Sequence, residues 1–253
     1  MEEMVVELKG VEKTFRDFWL RPLAYAVRGL DLDVRRGDVF GLIGPNGSGK
    51  STTIKMILGL IRPTKGTVSL FGLDPRDKAA RSRIGYLPEL SHLHPFLTAE
   101  ETVIYYAGLS GMKSADAKAR TSQLLGELNL AHVAKRTVGG FSKGMARRVA
   151  IAAALVASPE LLILDEPTSG LDPIGTREVK ELVGRLAAGG MTVLLTSHQL
   201  FDVQDICSRV AVVSEGRQVG GGYVADIVAN ANDKRHALEE YFEEKLKAGK
   251  GGM

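Results

Sequence analysis

The sequence predicts an α/β fold: a mostly parallel sheet with helices on its faces, plus an antiparallel β subdomain and an α-helical subdomain. Two observations predict the core. Val39–Ile43, Leu161–Asp165, Thr192–Thr196 and Arg209–Val213 are short, nearly continuous apolar runs, as strands covered on both faces require. Segments of helical period alternate with them, the order that builds a parallel sheet through crossover helices. A third observation predicts the attachments. The first part of the chain reads as antiparallel strands, and its middle reads as helix without strand-like runs.

Taken in order, Val5–Leu8, Leu30–Val34 and Thr67–Phe71 are the expected antiparallel strands, with turns at Arg36-Gly37-Asp38 and Lys65-Gly66. Phe18, Trp19 and Tyr25 lie in what reads as an insertion before Leu30. A helix is expected over Lys50–Leu58, following Val39–Ile43 and a glycine-rich turn. From about Ser91 to Ser158 the pattern is helical. Thr98 with Glu101 fits a capping box, and Ser114 suits the start of the next helix. Helices over Ile174–Ala188 and Gln199–Ile206 then alternate with the remaining strands. Residues 4–232 are expected to form one domain, with the helical subdomain at about 90–158. Residues 233–253 are expected to form a short charged helix, with Leu238, Tyr241, Phe242 and Leu246 at helical spacing, and a glycine-rich tail that frays. No repeat of solenoid period is present.

With 253 residues the chain can bury one large α/β core. The formal charge is +3, and the 33 basic residues are spread along the chain rather than gathered in a patch, so nucleic acid is not an expected partner. One cysteine, Cys207, excludes an internal disulfide and fits a reducing compartment. The acidic start Met1-Glu2-Glu3 lacks a signal-peptide apolar region. Apolar runs such as Ala150–Ala157 are too short for a membrane span.

Gly44-Pro45-Asn46-Gly47-Ser48-Gly49-Lys50-Ser51-Thr52 matches the phosphate-loop pattern G-x-x-x-x-G-K-[ST]. Glycines allow the backbone to curl so that successive N–H groups converge on an anion. The helix that follows adds its positive end. Lys50 supplies a point charge for the outer phosphates, and the Ser51 hydroxyl is an oxygen ligand suited to Mg²⁺. A plain glycine turn is the alternative reading, and the strand before the loop and the helix after it argue against that.

Leu161–Asp165 ends in Asp165-Glu166-Pro167. Strand ends of parallel sheets line the ligand crevice, and adjacent strand residues face opposite ways. The two acids are therefore expected to differ in role; in enzymes with such a phosphate loop the first acid holds magnesium, here Asp165 through water, and the second, Glu166, can serve as general base for an attacking water.

Four further segments accompany these two. Gly85-Tyr86-Leu87-Pro88-Glu89 precedes the helical region, and Phe141-Ser142-Lys143-Gly144-Met145 opens a helix continued by Ala146-Arg147-Arg148. Ser169-Gly170-Leu171-Asp172 follows the acidic strand, and Ser197-His198 follows the next. In this order the set resembles the nucleotide-binding subunit of an ABC transporter over about Met4 to Asp226, nearly the whole chain. Lys143 and Met145, where the family usually has glycine and glutamine, are similar to the pattern of single-cassette exporters.

The resemblance implies a P-loop NTPase (RecA-like) core with β and helical subdomains, the ABC ATPase fold. It implies ATP and Mg²⁺ as ligands and a second copy of the chain as partner. Ser142 and Gly144 of one copy would close over the γ-phosphate held by the loop of the other. His198 would touch that phosphate and help hold Glu166 and water, and Asp172 would bridge the copies. Glu89 stands where most relatives have glutamine; a carboxylate still suits Mg²⁺, and the segment after it, Leu90–Phe96, would wall a groove for a helix of an integral membrane permease. For the aromatic that stacks on adenine, Phe15 is preferred to Tyr25, with packing as the alternative for both.

The functional expectation is an ATPase at the cytoplasmic face of the cell membrane, driving export through the permease. A soluble ABC ATPase acting on ribosomes or DNA is the alternative, although such chains usually carry two cassettes or long coiled-coil insertions. A non-hydrolytic, nucleotide-gated binding module is a third; Lys50, Asp165, Glu166 and His198 argue against it. Cargo contacts would belong to the permease, so the sequence leaves the substrate open.

Overall fold

The computed structural model describes residues 3–250, with backbone only at 249 and 250. The start Met1-Glu2 and the glycine-rich end from Gly251 lie outside the described residues. The elements in chain order are β1 (Met4–Arg16), β2 (Pro22–Arg35), β3 (Val39–Ile43), α1 (Lys50–Ile57), β4 (Lys65–Leu70), α2 (Lys78–Arg81), β5 (Ile84–Leu87), α3 (Ala99–Leu109), α4 (Ser114–Glu127), α5 (Lys143–Leu155), β6 (Leu161–Asp165), α6 (Pro173–Ala188), β7 (Thr192–Ser197), α7 (Leu200–Ile206), β8 (Arg209–Ser214), β9 (Arg217–Tyr223), α8 (Val224–Asn230) and α9 (Ala237–Lys250). They fall into two compact units: the chain through Arg81 together with Ala187 onward, and Ser82–Leu186.

In the first unit, β1 pairs antiparallel with β2 on one side and β4 on the other. The expected strands are all present but longer, because β1 and β2 continue through the predicted insertion to the pair Arg16↔Pro22. Lys65-Gly66 is not a turn. It opens β4, and a Cβ at Gly66 would lie 2.3 Å from the Gly10 carbonyl oxygen, so the glycine serves close strand approach. The second sheet of this unit has β3 between parallel neighbours β7 and β8, with β9 antiparallel to β8. Every residue of β3 and β7 is buried, which explains their unbroken apolar character. Arg209 on β8 donates to Asp33 and Asp38 at 2.9 Å each, tying the two sheets of this unit together. The lone Cys207 is buried against Gly41 of β3, and burial pushes its thiol pKa up.

In the second unit, β5 and β6 pair in parallel with Leu87 opposite Leu164, and α3, α4 and α5 pack through Val103, Ala107, Leu124, Leu125, Val149, Ile151 and Leu155. Burying each of the valine, leucine and isoleucine side chains among these favours the fold by roughly 1.5–3 kcal/mol. The capping box forms as expected: the Glu101 amide donates to Thr98 Oγ1 at 3.1 Å and the Thr98 amide donates to Glu101 Oε2 at 2.9 Å. The next helix differs from expectation. Its cap position is Lys113, with no side-chain hydrogen bond, and Ser114 is already inside the helix.

Thr98→Ala removes the acceptor for the Glu101 amide, and the unfolding free energy should fall by about 1 kcal/mol. Thr98→Ser should keep most of it. Urea titration of both variants, compared at unchanged slope, measures the difference.

Candidate functional site

The phosphate loop grows out of β3 in the first unit. Gly44 is closed in by its surroundings: a Cβ there would lie 2.2 Å from the Val213 carbonyl oxygen and 2.6 Å from Ser48 Oγ. Gly47 has φ +78° and Gly49 φ +109°, conformations that side chains resist. Gly49 also passes so near β2 that a Cβ would sit 2.4 Å from the Ala26 carbonyl oxygen. Outside the loop, the Gly216 amide donates to the Ser48 carbonyl at 2.9 Å, and the Arg28 amide donates to that of Gly216 at 2.7 Å. The loop is thus braced by β2 and by the β8–β9 turn before any ligand arrives.

The loop fits a phosphate on three counts. Gly49 caps α1 without a side-chain hydrogen bond, so no side chain of that residue competes for the first amides of the helix. Lys50 is 7% exposed, and its ammonium donates to the Gly44 carbonyl at 2.8 Å and that of Pro45 at 3.2 Å, holding the charge over the loop. Ser48 Oγ is buried and meets no hydrogen-bond partner among the described residues. Pro45, Asn46 and Ser51 are exposed and Thr52 is half-buried.

The strand register brings His198 to the same end of this unit. Ile43, just before Gly44, pairs with Ser197, just before His198. The Gln199 amide donates to Ser197 Oγ at 2.9 Å and fixes the turn that carries the exposed histidine. Phe15 and Tyr25, on the paired strands β1 and β2, are 41% and 55% exposed, so both rings stay at the surface of this unit.

The second unit holds the acids. Because Leu87 pairs with Leu164, Pro88-Glu89 and Asp165-Glu166 emerge side by side from β5 and β6. Asp165 and Glu166 are buried, and Glu166 has φ +48°. A buried non-glycine residue in the left-handed region is strained backbone, and it turns the chain sharply after the strand. Asp172 is exposed, and its Oδ1 accepts from the Gly175 amide at 2.7 Å, capping α6. Ser142 is exposed and caps α5 by accepting from the Met145 amide at 3.2 Å. A Cβ at Gly144 would come 4.0 Å from Gly175, so the starts of α5 and α6 lie together.

Arg147 is the residue that the sequence reading passed over. It is 7% exposed. Its Nε donates to the Pro167 carbonyl at 3.0 Å, and Nη2 to those of Asp165 at 2.9 Å and Glu166 at 2.8 Å. Nη1 donates to the Pro88 carbonyl at 2.8 Å, to that of Glu89 at 3.0 Å and to Ser91 Oγ at 3.2 Å. One guanidinium therefore joins the start of α5 to both loops that carry acids. Burial lowers its pKa to about 10, while Asp165, Glu89 and Glu166 work to hold the charge. A signal was available, since Arg147 is in helical phase with Ala150, Ile151 and Leu155 on the buried face of α5. A basic residue on such a face needs acceptors.

Ser51 in the first unit, and Asp165 and Glu89 in the second, each carry an oxygen of the kind that hard divalent cations take as ligand.

Comparison with known proteins bears on the whole arrangement. The family model described as ABC transporter matches residues 27–169. The Nod factor export ATP-binding protein I of Burkholderia orbicola is 39% identical over 219 residues, covering 86% of this chain and 70% of that protein. Among solved structures, an ATP-binding subunit of an ABC transporter is similar at a TM-score of 0.81 and 31% identity, covering 96% of this chain and 99% of that one. A dimeric ATP-binding cassette in a post-hydrolysis state, bound to ADP and Pi, is similar at a TM-score of 0.77 and 27% identity, covering 87% and 98%.

Arg147→Met should leave the carbonyls at the ends of β5 and β6 without their donor and lower the unfolding free energy by about 3 kcal/mol. ATP turnover should fall with it. Arg147→Lys, which keeps the charge but not the fork of donors, should recover only part of either quantity, measured by urea unfolding and phosphate release.

Proposed function

Because the chain belongs to the ABC transporter family, as an ATP-binding subunit and an ATPase, we propose that it works as half of a head-to-tail homodimer that drives export through a separate membrane permease. The observation that carries this reading is that one chain has two exposed helix starts fit for phosphate. One is the glycine loop ahead of α1, and the other is Ser142-Lys143-Gly144 at α5. In a head-to-tail pair the α5 start of each copy covers the nucleotide seated in the other copy's loop. The similar dimeric cassette bound to ADP and Pi supports such a pair, and the likeness to a Nod factor export subunit supports export.

Within each half, Phe15 stacks on adenine, and the loop Gly44–Thr52 holds the phosphates through the main-chain N–H groups of its residues other than Pro45. Lys50 neutralises the outer two phosphates. Ser51, Glu89 and, through water, Asp165 would hold magnesium, which would supply further positive charge to the nucleotide. Glu166 takes a proton from the water that attacks the γ-phosphorus, and the bond from that phosphorus to the β–γ bridging oxygen breaks, leaving ADP and inorganic phosphate. His198 donates to the γ-phosphate and steadies that water, and Asp172 links the two copies. Arg147 keeps the strand ends bearing Glu89 and Glu166 in step with the α5 start, which responds to the partner's nucleotide.

Output passes beside Glu89. The second unit has a cavity of about 340 Å³ lined by Tyr86, Pro88, His92, Leu93 and Tyr106 with the alanine face of α5. Leu90 and Phe96 next to it are 69% and 80% exposed. A helix of the permease seated there would tie the subunit to the cytoplasmic face of the membrane. No described helix is long and apolar enough to cross it.

Glu166→Gln should bind ATP as before, lose about 10²–10⁴-fold in turnover, and elute as a dimer when ATP is present. Turnover at the normal rate would remove Glu166 as the base, and a persistent monomer would remove the paired site. Lys50→Ala should lose ATP binding in equilibrium dialysis. A multispan membrane protein that purifies with the chain supports export, whereas ribosomes or DNA in its place would overturn it.

A further inference from the structure

The end of the β1–β2 hairpin has no task in the ATP site, yet it is tightly built. The Asp17 amide donates to the Arg21 carbonyl at 2.9 Å, and the Leu20 amide donates to the Asp17 carbonyl at 3.0 Å. Asp17 Oδ1 accepts from the Arg21 amide at 2.9 Å, Asp17 Oδ2 from Arg21 Nε at 2.8 Å, and the Leu20 carbonyl from Arg16 Nη1 at 2.9 Å. Leu20 takes φ +62° to close the turn. Asp17 is half-buried within these bonds, while Arg16 and Arg21 are exposed together with the apolar side chains of the tip. Phe18 is 91% exposed, Trp19 and Leu20 72% and Leu23 70%. Phe18 and Trp19 stack edge to face, with centroids 5.5 Å apart. Trp19 is the only tryptophan in the chain.

The charge of this region is as uneven as its polarity. Residues 13–28 carry Lys13, Arg16, Arg21 and Arg28 against Asp17 alone, a net charge equal to the +3 of the entire chain. A cluster of exposed aromatic and aliphatic side chains marks a contact surface. A convex aromatic tip on a cationic stem matches a bilayer interface, where Trp and Phe settle at headgroup level and Arg reaches lipid phosphate. The turn bonds the amides of Asp17, Leu20 and Arg21 internally, and at headgroup depth water still reaches the others. The cytoplasmic leaflet is anionic and attracts such basic segments.

We propose that Phe18, Trp19, Leu20 and Leu23 insert among the headgroups of an anionic lipid surface, with Arg16 and Arg21 drawn to the lipid phosphates. The inference rests on the reading that the subunit works at a membrane, and it adds a direct lipid contact to the attachment through the permease.

Trp19 is its own reporter. The full chain is titrated with vesicles of phosphatidylcholine alone and of phosphatidylcholine with phosphatidylglycerol, following Trp19 emission and its quenching by acrylamide. The expected result is a blue shift and protection with the anionic vesicles only, reduced by added salt. The double variant Phe18→Ser/Leu20→Asn keeps the reporter and places at 20 a residue that accepts positive φ; its vesicle affinity should fall about tenfold or more. ATP turnover without lipid, measured on the same samples, should be unchanged. Turnover tests the ATPase reading separately, so failure of either is recognisable. No shift, an equal shift with neutral vesicles, or an unchanged response in the variant overturns the proposal. A shift that appears only when vesicles contain the permease also overturns it and makes the tip a protein contact.

Discussion

A guanidinium withdrawn from water must find acceptors, and carbonyls left at the ends of buried strands must find donors. In the second unit the two needs meet at Arg147, which bonds the main chain at Pro88, Glu89, Asp165, Glu166 and Pro167. Parallel strands hydrogen-bond each other only as far as the ladder runs. Beyond Leu87 and Leu164 the chain needs another source of order, and an arginine from α5 provides it. The strained φ of Glu166 is tolerable because its neighbours are held on both sides.

The first unit meets the same need without a side chain. Its loop after β3 is ordered by contact with β2 and the β8–β9 turn, which only glycine permits at Gly44 and Gly49. One unit therefore holds its strand ends by charge, and the other by absence of side chain. In the proposed function, the anion-binding amides and the water-activating acid come from these two differently supported places.

The strands were most legible where burial is complete. Val39–Ile43 and Leu161–Asp165 are found at the predicted bounds, because a strand covered on both faces writes every residue into its pattern. The glycine signals were read less well. Gly66 suggested a turn and instead lets two strands approach. The loop glycines were legible because their spacing is itself a motif. Ser114 suggested a cap, but the helix starts one residue earlier than a serine cap requires. Arg147 was missed because its partners are main-chain atoms, and main-chain carbonyls have no letter in a sequence. The hairpin tip was seen as an insertion, but its exposure belongs to the register of β1 on β2 and not to its composition.

The buried thiol at Cys207 has a practical consequence. It is the chain's only cysteine, closed in beside β3 and pushed away from the reactive thiolate form by burial. The native protein is therefore nearly silent towards thiol-directed labels. A cysteine introduced at any surface position would carry a probe, spin label or crosslinker as the single responsive site, so distances within one copy or between copies can be followed without first removing a native residue.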